Sequence, residues 1–192
     1  MSGGYVGCER TVPVATLPCE DIRLSGTRTG VANHGSVAVT LPFSFTFYGI
    51  ARTAVQISAQ GTLNFDGTTA STTNSCLPSG TSPQIAVFWE HLHPNGAVYH
   101  QALGAAPNRR FVVQWTGTIF GGGSTPVDVR AVLEEGSNDI QVCYAATTSG
   151  SATYNQGRSA TAAIQGGAAA ALSYSCNASK LVDGLTLTYS AP

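Results

Sequence analysis

Glu90, His91, His93 and His100 form the one local set of side chains whose types and spacing could hold a ligand. His91 and His93 are two residues apart, so on an extended strand both imidazoles share a face. Paired imidazoles suit Zn2+, Cu2+ or Ni2+, with the Glu90 carboxylate and His100 as further donors. The plainer reading is four loop-proximal polar residues at a strand end, because no cysteine or carboxylate spacing completes a known metal motif. Other chemistries find less. No G-x-S-x-G elbow offers an activated serine. The ten acidic residues are dispersed, with Asp66 and Asp139 in turns and Glu134-Glu135 beside a hairpin, rather than paired across a cleft as glycoside hydrolysis requires. Gly121-Gly122-Gly123 lacks the lysine and the strand-to-helix context of a phosphate loop. No enzyme is expected, and no cofactor beyond a divalent metal at the histidine set.

Five cysteines are spread through the chain, Cys8, Cys19, Cys76, Cys143 and Cys176, and no two have the C-x-x-C spacing of a zinc or redox motif. In a chain rich in Thr, Ser and Gly they read as disulfides in an oxidising compartment. Cys8 and Cys19 are expected to pair and close a local N-terminal loop. Cys76 with Cys176 is the favoured second bridge, leaving Cys143 free; Cys143 with Cys176 is the competing pairing.

The bulk numbers remove several partner classes. Charged residues are 10% of the 192, net charge is −1, and Lys180 is the only lysine. A nucleic-acid binder needs a basic stripe to neutralise phosphates, and none is present. Arg109-Arg110, the only adjacent basic pair, reads as a solvated strand start. No apolar run approaches the roughly 18 residues that a spanning helix needs, so membrane insertion is not expected. No charged segment followed by an apolar one opens the chain as a signal peptide would; Met1-Ser2-Gly3-Gly4 reads instead as an engineered start placed after a leader.

The elements that must position these side chains are extended. Leu41, Phe43, Phe45 and Phe47 alternate with Pro42, Ser44 and Thr46, and Val55, Ile57, Leu63 and Phe65 alternate with polar residues across Val55–Phe65. Only a pleated strand places alternate residues on opposite faces, so each segment reads as one half-buried strand. Ile85 to Leu92 is nearly all apolar, as in a central strand covered on both faces. Further strands are expected at Ala97–Leu103, Arg110–Phe120, Val127–Leu133, Ile140–Tyr144, Ala160–Gln165, Ala170–Ser175 and Leu185–Tyr189. Turns fall at Asn33-His34-Gly35, Pro94-Asn95-Gly96 and residues 135–139, and long loops at 66–83 and 121–126. Phe43, Phe45, Phe47, Trp89, Phe111 and Trp115 are expected in the core; Tyr48, Tyr99 and Tyr154 are freer to be exposed. The spacing predicts an all-β fold, an antiparallel β-sandwich with jelly-roll or immunoglobulin-like layering. Residues 1–19 read as a disulfide-tied, Cys-containing N-terminal extension and 20–192 as the sandwich domain.

The order of motifs resembles a nidogen-like extracellular β-domain of large secreted bacterial surface and adhesive proteins. The pieces that carry the resemblance are Cys19-Glu20-Asp21-Ile22 with Ser25-Gly26-Thr27, Leu41 to Gly49, Val55 to Phe65, Ile85-Ala86-Val87-Phe88-Trp89, Arg110 to Trp115, Ser159 to Gln165 and Gly184-Leu185. The likeness runs roughly from residue 20 to 190. It implies a non-catalytic, extracellular structural or adhesion module and carries over no catalytic residue. Related sequences often hold two acidic residues after the Phe-Trp pair. Here Trp89 is followed by Glu90-His91-Leu92-His93, which speaks against calcium binding of that kind. Asn177-Ala178-Ser179 matches a glycosylation acceptor, a match without meaning in a bacterial protein.

The chain is therefore expected to be secreted or on a cell surface and to meet an extracellular protein or a glycan, or to associate with itself. The rival readings are a carbohydrate-binding module, a self-assembling surface or filament subunit, and a metal-binding protein, enzyme or sensor built on the histidine set.

Overall fold

The computed structural model describes residues 4–95 and 97–192; Met1-Ser2-Gly3 of the expected engineered start, and Gly96 of the turn after His93, lie outside them. The described chain runs β1 (Val6–Thr11), β2 (Thr27–Arg28), β3 (Ser36–Phe47), β4 (Ile50–Ser58), β5 (Thr62–Asn64), β6 (Gln84–Trp89), β7 (Leu92–His93), β8 (Val98–Leu103), β9 (Arg110–Ile119), β10 (Val127–Glu134), β11 (Ile140–Ala146), β12 (Thr161–Gly167), β13 (Ala170–Cys176) and β14 (Leu185–Ser190). One sheet has the order β1-β14-β11-β10-β9-β8-β2, with β7 also paired to β9; the other has the order β13-β12-β6-β5-β4-β3. Every pairing among the described strands is antiparallel. No helix among the described residues is long and apolar enough to cross a membrane.

The two sheets face each other over one apolar core. Phe43, Phe45 and Phe47 from β3 meet Phe111, Val113 and Trp115 from β9 and Ile140, Val142 and Tyr144 from β11. Each such side chain, fully buried, contributes about 1.5–3 kcal/mol of transfer free energy. Two hydrogen bonds cross the core: Trp115 Nε1 donates to the Ser58 carbonyl and the Tyr144 hydroxyl to the Val87 carbonyl, both at 2.8 Å.

Two expectations about strands change. Val55–Phe65 is not one strand but a hairpin, β4 and β5, around the turn Ala59-Gln60-Gly61. The alternation survives the turn because Ser58 pairs with Thr62 and Ile57 with Leu63, so inward positions keep their parity on both arms. Trp89, expected in the inter-sheet core, lies instead on the outer face with Leu77, Ala86 and Ala163. The cause is a bulge in β6. The Gly61 carbonyl accepts from both Val87 and Phe88 N–H, at 3.0 and 3.1 Å. The extra residue sends Phe88 inward and turns Trp89 out.

Each outer face is covered by an irregular segment tied down with a disulfide. On the sheet that holds β9–β11, Cys19 and Ile22 pack on Val112, Val132 and Cys143, and Cys19 is bonded to Cys143. The expected Cys8–Cys19 bridge is therefore absent, and Cys8 is the free, exposed cysteine. Cys143 does point away from Ile140 and Val142, as its place in the strand predicts. That outer face, however, is not solvent, because residues 17–22 cross it. Arg130 helps to hold them: Nη1 donates to the Cys19 carbonyl at 2.9 Å, while Nε and Nη2 bind the Asp128 carboxylate. The Gln114 side chain accepts from Ile22 N–H at 2.7 Å and donates to Asp128 and Asp21. On the other sheet, residues 66–83 cover Ala86 and Trp89, and Cys76 is bonded to Cys176. Residues 6–11, expected within an extension pinned by its own bridge, instead form the edge strand β1, paired with β14 along its length.

Candidate functional site

β6 ends at Trp89, and β7 begins three residues later, paired with the end of β9 through Leu92↔Ile119 and His93↔Thr118. Leu92 is fully buried, so His91 and His93 turn to the other side, with ring centroids 5.1 Å apart. The shared face expected from their spacing is present. Phe120, exposed at the end of β9, lies over both rings at 4.6 and 5.1 Å, and its N–H donates to the His91 carbonyl at 2.9 Å.

The other two expected donors are elsewhere. His100 sits on β8 opposite Val113, its ring 5.7 Å from that of Phe111. Burial pushes its imidazole below the ordinary histidine value. Glu90 is buried and its carboxylate bends back on the chain, Oε1 accepting from His91 N–H at 2.8 Å, while Oε2 has no hydrogen-bond partner. Burial raises its carboxyl, only partly offset by the nearby Ser159 side chain and then by that backbone bond. It lines a cavity of about 560 Å3 with Asn74, Phe120, Tyr154, Arg158 and Ser159.

The third member of the cluster is His34. Its Nε2 lies 2.7 Å from His91 Nε2, and its ring centroid is 4.8 Å from that of His91 and 5.4 Å from that of His93. One ligand nitrogen from each of the three lies within 4.8 Å of the others. Sequence spacing could not show this, because 57 residues separate His34 from His91. The only sequence signal was the turn Asn33-His34-Gly35. That turn is present, with Gly35 N–H donating to Ala32 at 3.0 Å and His34 at φ 67°. Asn33 fixes its direction: the Asn33 amide donates to Asn95 Oδ1 at 3.2 Å, and its Oδ1 accepts from Asn95 N–H at 3.1 Å. Burial, then the neighbouring His34 and His93, hold the His91 imidazole below its ordinary value, so the neutral form is favoured.

Some of the remaining charged groups are ion-paired. Arg109 and Arg110, read from sequence as a solvated strand start, bond Glu135 and Glu20 respectively. Tyr48, Tyr99 and Tyr154 are half-buried rather than exposed. The loop at 66–83 is anchored throughout: Trp89 Nε1 donates to Ser71 at 2.8 Å, Asn74 donates to Thr161 and Asn177, and the Gln165 side chain bonds the Ser79 and Ser82 carbonyls.

A family model described as NIDO related matches residues 21–190. No curated protein and no solved structure matches the chain.

Proposed function

The chain belongs to the NIDO-related family, and from that membership we propose that it is a non-catalytic structural or adhesion module of a larger secreted or cell-surface bacterial protein. The family and the two disulfides agree with an extracellular setting.

The observation that carries the binding role is the anchoring of residues 66–83. This segment is mostly Thr, Ser, Asn and Gly, and its exposed residues include Thr68, Thr69, Ser71, Thr73 and Ser79. A long polar loop left free would lose much conformational entropy on meeting a partner. Here the Cys76–Cys176 bond and the hydrogen bonds of Trp89, Asn74 and Gln165 have already removed that freedom. A rigid, nearly uncharged surface of hydroxyls suits contact by hydrogen bonding with little salt dependence. An extracellular protein or a glycan is the partner such a surface fits.

The test is an immobilised panel of extracellular matrix proteins and glycans, probed with the purified chain. Binding is expected to be nearly unchanged by raised salt and to be lost when Thr69 and Thr73 are replaced together by Arg. Retention by a glycan alone would place the module among carbohydrate binders. Turnover of any substrate that disappears on replacing one residue of the Glu90 cavity would refute the non-catalytic reading.

A further inference from the structure

Three imidazoles from two distant parts of the chain converge beside Phe120, and no carboxylate or carbonyl of the described residues satisfies their ring nitrogens. The one hydrogen bond among those rings is His34 Nε2 with His91 Nε2. His93 Nε2 is buried and has no partner. A histidine kept for structure normally donates a ring N–H to a carboxylate or carbonyl that fixes its orientation. Here the carboxylate adjacent in sequence, Glu90, is instead bonded to the His91 backbone. The three rings are held in place, and the only polar partner any of them has among the described residues is another ring of the cluster.

They are held by backbone, and both arms rest on one buried turn. Ala59 N–H donates to the Gly35 carbonyl at 2.9 Å, which fixes the residue after His34. Glu90 N–H donates to the Gln60 carbonyl at 3.2 Å, which fixes the residue before His91. The same turn takes the Trp115 indole at Ser58 and the Val87 and Phe88 N–H groups at Gly61. The rings are thus positioned by the sandwich itself and do not need a ligand to assemble them, which is the arrangement a preformed site requires.

We propose that His34, His91 and His93 form a three-imidazole site for a divalent transition-metal ion, with Zn2+ as the expected occupant. Neutral imidazole is a preferred donor for this class of ion, and three protein nitrogens leave one coordination position for water. Tetrahedral Zn2+ with bonds of about 2.0–2.1 Å sets its nitrogens about 3.3 Å apart. The present separations, from 2.7 Å up to a limit of 4.8 Å, bracket that value, so small ring rotations suffice. Phe120 closes one side with an apolar ring and adds no competing charge. The ion would clamp the loop before β3 to the β6–β7 connection. The site differs from the set expected from sequence: it gains His34 and excludes Glu90 and His100.

The test uses the whole chain, without a polyhistidine tag and stripped with chelator. Calorimetric titration with Zn2+ is expected to give one equivalent bound at low micromolar dissociation constant or tighter, and Co2+ to give the visible spectrum of a four-coordinate ion. His34→Ala and His93→Ala each weaken binding by about tenfold or more, whereas His100→Ala leaves it unchanged. His34 is exposed, so His34→Ala is expected to keep the parent circular-dichroism spectrum, and it should lose the Zn2+-dependent rise in melting temperature that the parent shows. Absence of saturable Zn2+ binding by the parent overturns the proposal. So does an equal loss on His100→Ala, or binding of Cu2+ without Zn2+.

Discussion

The indole N–H of Trp115 donates to the carbonyl oxygen of Ser58 at 2.8 Å, joining β9 of one sheet to the end of β4 in the other. Both residues are fully buried, so neither group has water as an alternative partner. Trp115→Phe keeps most of the apolar volume and removes only the donor. It is expected to destabilise the fold by about 1–3 kcal/mol, the cost of an unsatisfied buried carbonyl. Tyr144→Phe, which orphans the Val87 carbonyl on the facing sheet, belongs to the same range. Urea midpoints at constant slope measure both. A loss below about 0.5 kcal/mol for either variant would mean that the cross-core bonds contribute little beyond packing.

The two disulfides close loops of similar length, 124 and 100 residues, so chain entropy alone gives them nearly equal weight. Their surroundings differ. Cys19 and Cys143 are both buried, whereas Cys76 is exposed. A mild reductant is therefore expected to open Cys76–Cys176 first and to reach Cys19–Cys143 only as the chain unfolds. Replacing both members of either pair by Ser costs about 2–5 kcal/mol. Within that range the Cys19/Cys143 variant should lose more, because it also buries two hydroxyls. Cys8→Ser should be neutral. Mass mapping without reductant checks the pairing, and alkylation of the native chain should modify Cys8 alone; a Cys8–Cys19 linked peptide would contradict the fold.

The alternation in Leu41–Phe47 exposed the sandwich because hairpin packing makes period two obligatory on a face that is buried. The same rule hid the turn at Ala59-Gln60-Gly61. With Ser58 opposite Thr62, a three-residue turn returns the chain on the same parity, so two strands read as one. The bulge at Val87-Phe88 hid in the opposite way: an all-apolar segment has no polar residue to register the shift that turned Trp89 out. Cys143 was visible as outward-facing, but what covered that face was not, since cover by residues 17–22 is a long-range fact. The histidine cluster follows the same division. His91 and His93 declare their shared face by spacing, while His34 joins them only through the Asn33–Asn95 amide pair and the β4–β5 turn.

The Arg109 guanidinium donates to both carboxylate oxygens of Glu135 and holds that carboxyl down to about 2, from an ordinary value of 4.5; burial works against this. A depressed folded value means that the unfolded chain binds the proton first. The pair's contribution is complete above pH 4.5 and is lost as pH falls toward 2. Glu135→Gln is expected to lie below the parent in stability at pH 7. The gap should narrow progressively through that acid window and shrink as well in high salt, since the pair is partly open to solvent. Denaturation midpoints across the pH range test this. A gap of equal size at both ends would assign the effect to packing instead.

Gly61 has φ 73°, and a Cβ there would stand 2.3 Å from the Phe88 carbonyl oxygen and 2.9 Å from its carbon. Gly67 has nearly the same backbone angle, φ 79°, but open space around the Cβ position. The two glycines separate strain from collision. Gly67→Ala should cost about 1–2 kcal/mol for the left-handed backbone alone. Gly61→Ala adds overpacking of about 1–3 kcal/mol against atoms that are backbone and cannot swing aside. The clash also falls where the Gly61 carbonyl receives Val87 and Phe88, one residue before the end of β6 and just ahead of the connection that carries His91. Any Gly61→Ala chain that still folds should therefore bind Zn2+ more weakly than the parent, while Gly67→Ala binds it equally well. Equal destabilisation of the two variants would show that β6 can retreat from the turn, and the turn would then not be what positions the histidines.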